Sequence, residues 1–311
     1  MALNTEHELT SIVENGRHKL LRPVQHNSRI VLSRLKRAYG ELKSCNGYGL
    51  FIPLAGKKIY HTAAETFSVA PGHFILLEYH QDCFLDINSN EETMGINIRV
   101  HKSFVDQAYH TLYNSTNKLL DDPSGNTNYD GHFYQGVFHT SDTLLGNLLN
   151  RVVKTLDIEN EELEMNETEL FHEVSTSIIL QQQNISACTK RLPAKKKSTQ
   201  KELFKRLSMA KMIINDDLSG FYDIQTLAKE VSLSPYHFLR SYKSMFGISP
   251  HQYMMQRKME VAAERLLSTP DSIMDIAFRL GFSELPGFSK SFKKFHGVSP
   301  AAFRKDARRK F

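Results

Sequence analysis

The sequence predicts an α+β protein in which a small antiparallel β-barrel or sandwich precedes an all-helical domain with two helix-turn-helix units. Three observations carry this prediction. Short apolar runs with period two occupy residues 28–100. A sequence segment of about thirty residues occurs twice near the C-terminus, and basic residues concentrate in the same part of the chain. The length of 311 residues favours about two domains.

Residues 28–100 consist of short apolar runs separated by turn residues. The runs at 48–52 and 74–77 are typical, and Gly56 and the Pro71-Gly72 pair supply turns. Several short strands at close spacing indicate a small antiparallel barrel or sandwich.

Two later stretches have apolar residues at helical spacing, and an acidic segment at 159–169 lies between them. The first stripe comprises Leu144, Leu145, Leu148, Leu149, Val152, Val153 and Leu156, and the second comprises Leu170, Val174, Ile178 and Ile179. Their plain interpretation is packing against their own domain. The acidic segment is expected to be a solvated turn or helix end.

The C-terminal part contains two similar sequence segments, Asp223–Tyr253 and Ser272–Phe303. Phe238 matches Phe288, and a Gly-Ile-Ser-Pro run in the first copy matches Gly-Val-Ser-Pro in the second. Matched residues of the two copies are 49 positions apart at the start of the repeat and 50 positions apart from Phe238 onward, so the second copy carries one inserted residue. Such a repeat indicates one supersecondary unit used twice.

Each copy predicts two short helices joined by a tight turn. Asp223 and Ser272 are suitable N-caps for the first helices. A second, basic amphipathic helix is expected at about 235–245 in one copy and about 286–295 in the other. This is the helix-turn-helix arrangement, whose second helix enters the major groove of DNA. A helical bundle whose repeat serves packing or protein contact is the alternative.

The segment between the copies predicts one long helix. It opens with Ser249-Pro250, has no later glycine or proline before Thr269, and is rich in helix formers. Such a helix is roughly 28–30 Å long, and major-groove windows on one face of B-DNA lie about 34 Å apart. A rigid connector of this length would bring both units to successive grooves of one duplex.

Charge is unevenly distributed along the chain. Residues 190–311 contain 24 lysines and arginines against 11 aspartates and glutamates, a net of +13. Residues 1–189 have 15 against 23, a net of −8, and the two parts account for the +5 of the whole chain. A strongly basic helical domain indicates a polyanionic partner, because neutralising phosphates releases counterions.

The stretch at 187–200 is basic, contains proline, and has no apolar periodicity, which predicts an exposed linker. The expected organisation is therefore a first domain at 1–186, the linker, and a second domain at 201–311.

Each copy carries a specific set of residues. In the first they are Ala228, Ser234, Phe238, Arg240, Tyr242, Lys243, Gly247, Ser249 and Pro250; in the second they are Ala277, Leu280, Gly281, Phe282, Ser283, Phe288, Lys290, Phe292, Lys293, Gly297, Val298, Ser299, Pro300, Phe303 and Arg304. This pattern resembles the DNA-binding domain of AraC/XylS-type transcriptional regulators. The resemblance covers about 202–308 and implies seven helices, the first at 202–215 and the last at 300–307.

The resemblance also implies positions that contact double-stranded DNA. In the first recognition helix, Tyr236, Leu239 and Arg240 would read bases, and Lys243 would contact phosphate. The matching positions in the second recognition helix are Leu285, Pro286, Ser289 and Lys290, with Lys293 matching Lys243. Arg240 is the strongest candidate for direct readout, because arginine to guanine is the commonest specific contact; a phosphate contact is the alternative.

The sequence departs from the family pattern at Pro286-Gly287, where family members usually carry a polar or aromatic pair. Proline offers no donor and glycine no side chain, so the second unit is expected to contribute mainly phosphate and shape contacts. Tyr242, Phe288, Phe292 and Phe295 lie at helical spacing among basic residues, and we expect them in the core rather than stacked on bases.

The stretch at 53–80, through Gly56-Lys57-Lys58 and Ala70-Pro71-Gly72, resembles the cupin-like N-terminal domain of some AraC-type regulators. The resemblance implies that 1–186 is a cupin-like sensor with a pocket for a small-molecule effector of unknown identity, and that its helices form a homodimer interface. RNA polymerase as a partner, and activation of transcription, follow from the family alone.

The sequence favours neither an enzyme nor a cofactor. The candidate metal ligands lack a His-x-His pair or a completing cluster, and no metal site is expected from His61, His73, Glu78 and His80. No phosphate loop, nucleophile elbow or zinc spacing occurs. No signal peptide or membrane span is evident, and a cytoplasmic location fits the three motif-free cysteines Cys45, Cys83 and Cys188.

The sequence therefore predicts a DNA-binding transcription regulator that is controlled at its N-terminal domain. One alternative is a ligand-independent regulator whose barrel only binds a second subunit or another partner. The other alternative is a DNA-tethered enzyme that uses the barrel.

Overall fold

The structure is a computed structural model that describes residues 13–23, 28–42, 46–63, 65–78, 83–114, 133–157, 160, 162–163, 166–220 and 223–308. The chain divides into two compact units, Met1–Ala187 and Cys188–Phe311. His80 and Cys45, which entered the sequence-based expectations on metal sites and cysteines, lie outside the described residues.

The N-terminal unit is built on one eight-stranded antiparallel sheet. Its strands are β1 Val13–Pro23, β2 Arg29–Leu42, β3 Gly47–Ala55, β4 Lys58–Thr62, β5 Thr66–Val69, β6 His73–Glu78, β7 Cys83–His101 and β8 Gly136–His139. The main path runs β1-β2-β7-β3-β6-β8, while β4 pairs with β5 and β7. The long strand β7 therefore pairs with three neighbours, and Ile96, Ile98 and Val100 are buried at its alternate positions.

Three helices accompany this sheet in the described part of the N-terminal unit: α1 Lys102–Tyr113, α2 Leu144–Lys154 and α3 Glu167–Thr189. The apolar faces of α2 and α3 join the sheet in one core, in which Leu149, Val174 and Ile178 are fully buried beside Leu50 and Ile98. Packing of both stripes against their own domain is thereby confirmed. This burial follows from the spacing of i, i+3 and i+4, which places the apolar side chains on one helix face.

Two residues of the first stripe behave differently from the expectation. Leu144 is 65 % exposed, because it begins α2 after the N-cap Thr143 and its side chain lies off the buried face. Leu156 is buried, but in the short strand β9 Leu156–Asp157, which pairs with β10 Glu162–Leu163. The acidic segment therefore contains part of a small hairpin before α3 begins at Glu167.

The C-terminal unit contains seven helices in its described residues. They are α4 Lys197–Asp216, α5 Ile224–Glu230, α6 Pro235–Phe246, α7 Pro250–Ser268, α8 Ile273–Arg279, α9 Leu285–His296 and α10 Pro300–Arg308. The fold class predicted from the sequence, a β-rich domain followed by an all-α domain, is confirmed. The connector α7 has 19 residues and a complete capping box between Ser249 and Gln252, which gives a length of about 28 Å.

The predicted linker at 187–200 is helical at both ends. Helix α3 continues to Thr189 and α4 begins at Lys197, so 190–196 is the part outside helices. This part is also anchored: Leu192 is 5 % exposed, and the Ser244 hydroxyl donates a hydrogen bond to the carbonyl of Arg191. The composition of this basic stretch did not indicate that its one leucine, Leu192, is buried.

In the described residues, no helix has the length and apolar character needed to cross a membrane. The same residues hold no group of three or more potential metal ligands. His61 instead contacts the Thr66 hydroxyl at 2.9 Å through Nδ1, and the ring of His73 packs edge-on against that of His139.

A buried lysine lies inside the sheet of the N-terminal unit. Lys58 at the start of β4 is 1 % exposed, and its Nζ donates to the Ser33 hydroxyl at 2.9 Å. The Ser33 hydroxyl in turn donates to the carbonyl of Gly95 at 3.1 Å. A Cβ at position 95 would lie 2.8 Å from Lys58 Nζ, so the glycine makes room for the amine. Burial lowers the pKa of Lys58 to about 7.

The depressed pKa predicts an unusual pH dependence. Between about pH 7 and 10.5 the unfolded chain binds the Lys58 proton and the folded chain does not, so stability rises with pH across this window. The free energy of unfolding increases by at most about 5 kcal/mol across this pH window. We expect Lys58→Met to remove this slope and to raise the Tm at pH 7, whereas Lys57→Met at the exposed neighbour keeps the slope. Thermal unfolding at pH 7, 8 and 9 is the measurement, and equal slopes in both variants would contradict the assignment.

Candidate nucleic-acid interface

The two helix-turn-helix copies fold with the same backbone. The first repeat is α5 with α6, and the second repeat is α8 with α9. Equivalent residues Ser232 and Gly281 both have positive φ, 54° and 75°. One residue later, Leu233 donates to the carbonyl of Ala228 at 2.8 Å, and Phe282 donates to that of Ala277 at 3.0 Å. These hydrogen bonds close the end of the first helix in each repeat in the same way.

The inserted residue of the second repeat lies in its turn. Residues 231–234 separate α5 from α6, whereas 280–284 separate α8 from α9. The N-caps also differ, because Ser234 accepts a hydrogen bond from the N–H of His237 and Glu284 makes no such side-chain contact. The second recognition helix therefore starts without the side-chain cap of the first.

Helix α6 has one buried and one exposed face. Phe238, Tyr242 and Met245 are at most 1 % exposed and pack into the C-terminal unit. The residues proposed to contact DNA lie on the opposite face at i, i+3, i+4 and i+7: Tyr236 is 75 % exposed, Leu239 39 % exposed, and Arg240 and Lys243 are exposed. The structure therefore brings all four side chains together on one solvent-facing surface.

Helix α9 repeats this division with more positive charge. Phe288 and Phe292 are fully buried. Four of the proposed contact residues are exposed and Ser289 is half-buried; the exposed ones are Leu285, Pro286, Lys290 and Lys293. Sequence reasoning omitted Lys294, which is also exposed, although its position beside Lys293 in a basic helix was a usable signal.

Of the four aromatic residues expected in the core, Phe295 is an exception. Tyr242, Phe288 and Phe292 are fully buried, but Phe295 is 46 % exposed. Phe288 and Phe292 occupy i and i+4 on the buried face, whereas Phe295 lies three residues past Phe292 near the end of α9. The expectation was wrong because helical spacing identifies a face but not where that face stops being covered.

Polar contacts within the C-terminal unit attach α6 to the long helices. Asn215 at the end of α4 accepts hydrogen bonds from the Tyr253 hydroxyl at 3.0 Å and from Arg257 Nε at 3.3 Å, both on α7. The ammonium of Lys211 lies 4.6 Å from the ring centre of Tyr253 and 5.0 Å from that of Phe246 at the end of α6. These cation–π contacts hold the end of the first recognition helix against α4 and α7.

The second recognition helix packs on the connector α7, to which α9 and α10 each add one side-chain contact. Phe288 and Phe292 pack with Met259, Ala262 and Leu266 of α7. His296 at the end of α9 contacts the carbonyl of Met259 at 3.1 Å, and Arg304 of α10 donates to that of Leu266 at 3.2 Å. Both recognition helices are thus mounted on α7, and their exposed faces carry cationic side chains that can neutralise phosphates.

Comparisons with known proteins agree with this geometry. A family model described as a helix-turn-helix domain matches residues 227–306. The HTH-type transcriptional regulator MtrA of Neisseria gonorrhoeae is 30% identical over 106 residues, which is 34% of this chain and 35% of MtrA. The probable transcription factor PqrA of Proteus vulgaris is 32% identical over 107 residues, covering 32% of this chain and 88% of PqrA.

A solved structure is similar over the same region. The C-terminal domain of AraT, a response regulator from Geobacillus stearothermophilus, shares 34% sequence identity over 32% of this chain and 84% of that chain, with a TM-score of 0.32. The match spans about a third of the length of curated relatives such as MtrA. These relatives are named as regulators, and the assignment is to a family of regulators rather than of enzymes. The chain belongs to the AraC/XylS-type family of DNA-binding transcriptional regulators.

Proposed function

We propose that this chain is a transcription activator that binds one double-stranded operator through both repeats and is controlled by a small molecule at its N-terminal domain. In the proposed organisation, 1–186 is a cupin-like sensor and dimerisation domain, 187–200 joins it to the rest, and 201–311 binds DNA. RNA polymerase is the proposed downstream partner.

One observation carries the DNA-binding part of the proposal. Helices α6 and α9 expose equivalent faces while their opposite faces are buried on the same connector. The 19-residue helix α7 is about 28 Å long, close to the roughly 34 Å between successive major grooves. Two recognition helices on one rigid connector support binding of two adjacent grooves by a single chain.

The two repeats are proposed to have different roles. The exposed face of α6 combines Tyr236, Leu239 and Arg240, which offer a hydroxyl, an apolar contact and a guanidinium to base edges. In α9, Pro286 stands where α6 has Tyr236, Ser289 where it has Leu239, and Lys290 where it has Arg240. Proline offers no donor, and lysine lacks the fork of donors with which arginine binds guanine. The first repeat is therefore proposed to read sequence, and the second to bind phosphates and respond to DNA shape.

The alternative, a regulator whose N-terminal domain only binds a second subunit or another protein, also has supporting geometry. A groove of about 500 Å³ runs between α2 and α3 and includes Leu144, Leu148 and Thr176. Leu144 is 65 % exposed at its edge, and the buried Thr176 Oγ1 has no hydrogen-bond partner among the described residues. The exposed apolar edge at Leu144 is what an interface would cover.

The experiment that tests the proposal is genomic footprinting of the bound sites with and without cell extract. Footprints that change with the extract would support control by a diffusible effector. Identical footprints would favour the ligand-independent regulator, and the absence of discrete footprints would contradict sequence-specific DNA binding.

The first prediction for this interface separates base readout from phosphate contact. Arg240→Ala is expected to weaken operator binding by about 1–3 kcal/mol and to relax specificity at one base pair, because a bidentate contact to guanine is lost. Lys243→Ala is expected to weaken binding about equally on all sequences and to reduce the salt slope by about 1. Band-shift titrations on operator and random duplexes are the measurement, and equal losses for Arg240→Ala on both would assign Arg240 to phosphate.

The second prediction concerns the α2–α3 groove. Leu144→Glu is expected to weaken self-association by roughly tenfold or more, because it places a charge at the exposed apolar edge of the interface. Leu112→Glu on α1, 41 % exposed, is the matched control and should leave self-association unchanged. Sedimentation equilibrium gives both dissociation constants. A monomeric wild-type chain, or equal effects of both variants, would remove this groove from consideration as a dimer interface.

A further inference from the structure

The loop that follows α4 belongs structurally to the second repeat, although it precedes the first repeat in sequence. Leu218 in this loop packs against the core of the second repeat, which contains Ile276, Leu280 and Phe288. A segment that precedes the first repeat in sequence therefore packs against the second repeat. A contact between segments so far apart in sequence constrains how the two repeats are arranged.

The closest approach is between backbones. A Cβ at position 281 would lie 2.2 Å from the carbonyl oxygen of Ser219, so only glycine permits this contact. Gly281 also has a φ of 75°, in the left-handed region that side chains disfavour. The turn of the second repeat is thus pressed directly against the loop at 217–220.

The loop is itself held in shape by a carboxylate. Asp217 accepts hydrogen bonds from the N–H groups of Ser219 at 2.9 Å and Gly220 at 3.0 Å. Lys258 of α7 is buried behind the turn, with its Nζ 3.3 Å from the Cβ position of residue 281 and 5.7 Å from the ring centre of Phe282. Hydrogen bonding from the Ser219 hydroxyl, aided by the charge of Lys258, lowers the pKa of Asp217. The Asp217 carboxylate therefore stays charged, and keeps these hydrogen bonds, to a lower pH than a free aspartate would.

Helix α4 also contacts the turn of the first repeat. Arg206 Nη1 donates to the carbonyl of Ser232 at 2.7 Å, while its Nε donates to Glu202 at 2.8 Å. Ser232 is the repeat equivalent of Gly281. Helix α4 and its following loop thus hold the same point of both repeats, one through a side chain and the other through the backbone.

We propose that α4 and the loop at 217–220 form a second strut that, together with α7, sets the spacing and orientation at which the two recognition helices meet DNA. Leu218 and Ser219 of this loop meet Lys258 of α7 and Gly281 of the second repeat, and we call these four positioning residues the junction. The inference rests on the proposed binding of one duplex by both repeats. Packing of Phe288 and Phe292 on α7 already orients the second repeat, and the loop at 217–220 adds a contact at its turn.

Two glycines in the same repeat provide a matched pair of variants. Gly281 and Gly297 both have positive φ, 75° and 80°, but a Cβ at position 297 would meet nothing within 4 Å. Gly281→Ala therefore adds backbone strain and separates the junction, whereas Gly297→Ala adds backbone strain alone. Any difference between the variants reports the junction.

The experiment first selects an operator from random duplexes with the full wild-type chain. Affinity is then measured on this operator, on each half-site, and on versions with one or two base pairs inserted between the half-sites. We expect the insertions to cost the wild type and Gly297→Ala roughly tenfold or more, because the effective concentration of the second repeat depends on geometry. Gly281→Ala should bind the original operator roughly tenfold more weakly but lose less than about threefold on insertion.

An unfolded second repeat would also abolish the spacing penalty, so Gly281→Ala should still bind the full operator more tightly than the first half-site alone. Equal affinities of Gly281→Ala for the full operator and for that half-site would overturn the proposal. A wild-type spacing penalty in Gly281→Ala, or the same relaxation in Gly297→Ala, would overturn the proposal. If Gly281→Ala does not fold, as judged by circular dichroism, Lys258→Met and Leu218→Ala take its place in the same comparison and are held to the same outcomes.

A second measurement separates the junction from the proposed function. If the wild type selects no duplex, the proposed function fails, and the junction is then judged by amide hydrogen exchange. The N–H groups of Ser219 and Gly220 should exchange at least about tenfold faster in Gly281→Ala than in Gly297→Ala, because the loop loses the turn that covers it. Equal exchange rates in the two variants would overturn the junction regardless of DNA binding.

Discussion

The architecture of the DNA-binding part depends on one constraint, which is the burial of two aromatic rings one turn apart on each recognition helix. Phe238 with Tyr242, and Phe288 with Phe292, are fully buried. Because a helix has one face for its core, burying these pairs leaves the opposite face to solvent. Loss of either pair would remove both the anchor of the helix and the orientation of its exposed side chains.

The repeats share this constraint but differ in the caps and the exposed residues of their recognition helices. The first has a serine cap and an arginine on the exposed face, while the second has an uncapped start, a proline and a run of lysines. Base readout needs side chains held in register, whereas phosphate attraction needs only charge near the backbone. The divergence therefore fits one specific repeat and one electrostatic repeat, which share the long helix and the contacts made by α4.

The sheet of the N-terminal unit encloses a lysine, which is costly because burial disfavours the charged amine. Lys58 is enclosed by the sheet with the Ser33 hydroxyl as its hydrogen-bond partner, and burial brings its pKa close to neutral. Burying an amine disfavours its charged form, so above about pH 7 the fold holds Lys58 mainly as a neutral donor. The stability of this unit is thereby linked to pH in a range where most lysines do not titrate.

The sequence by itself determined the repeat, the two recognition helices, the connector and the face of each helix, because these depend on local spacing and capping. The family resemblance supplied the nine proposed contact residues, and they lie on the exposed side of α6 and α9, where only Ser289 is half-buried. Only the tertiary structure decided that Phe295 is exposed, that Leu192 is buried, and that the loop at 217–220 packs on the second repeat. These facts depend on which segments cover one another, and periodicity along the chain carries no information about contacts between distant segments.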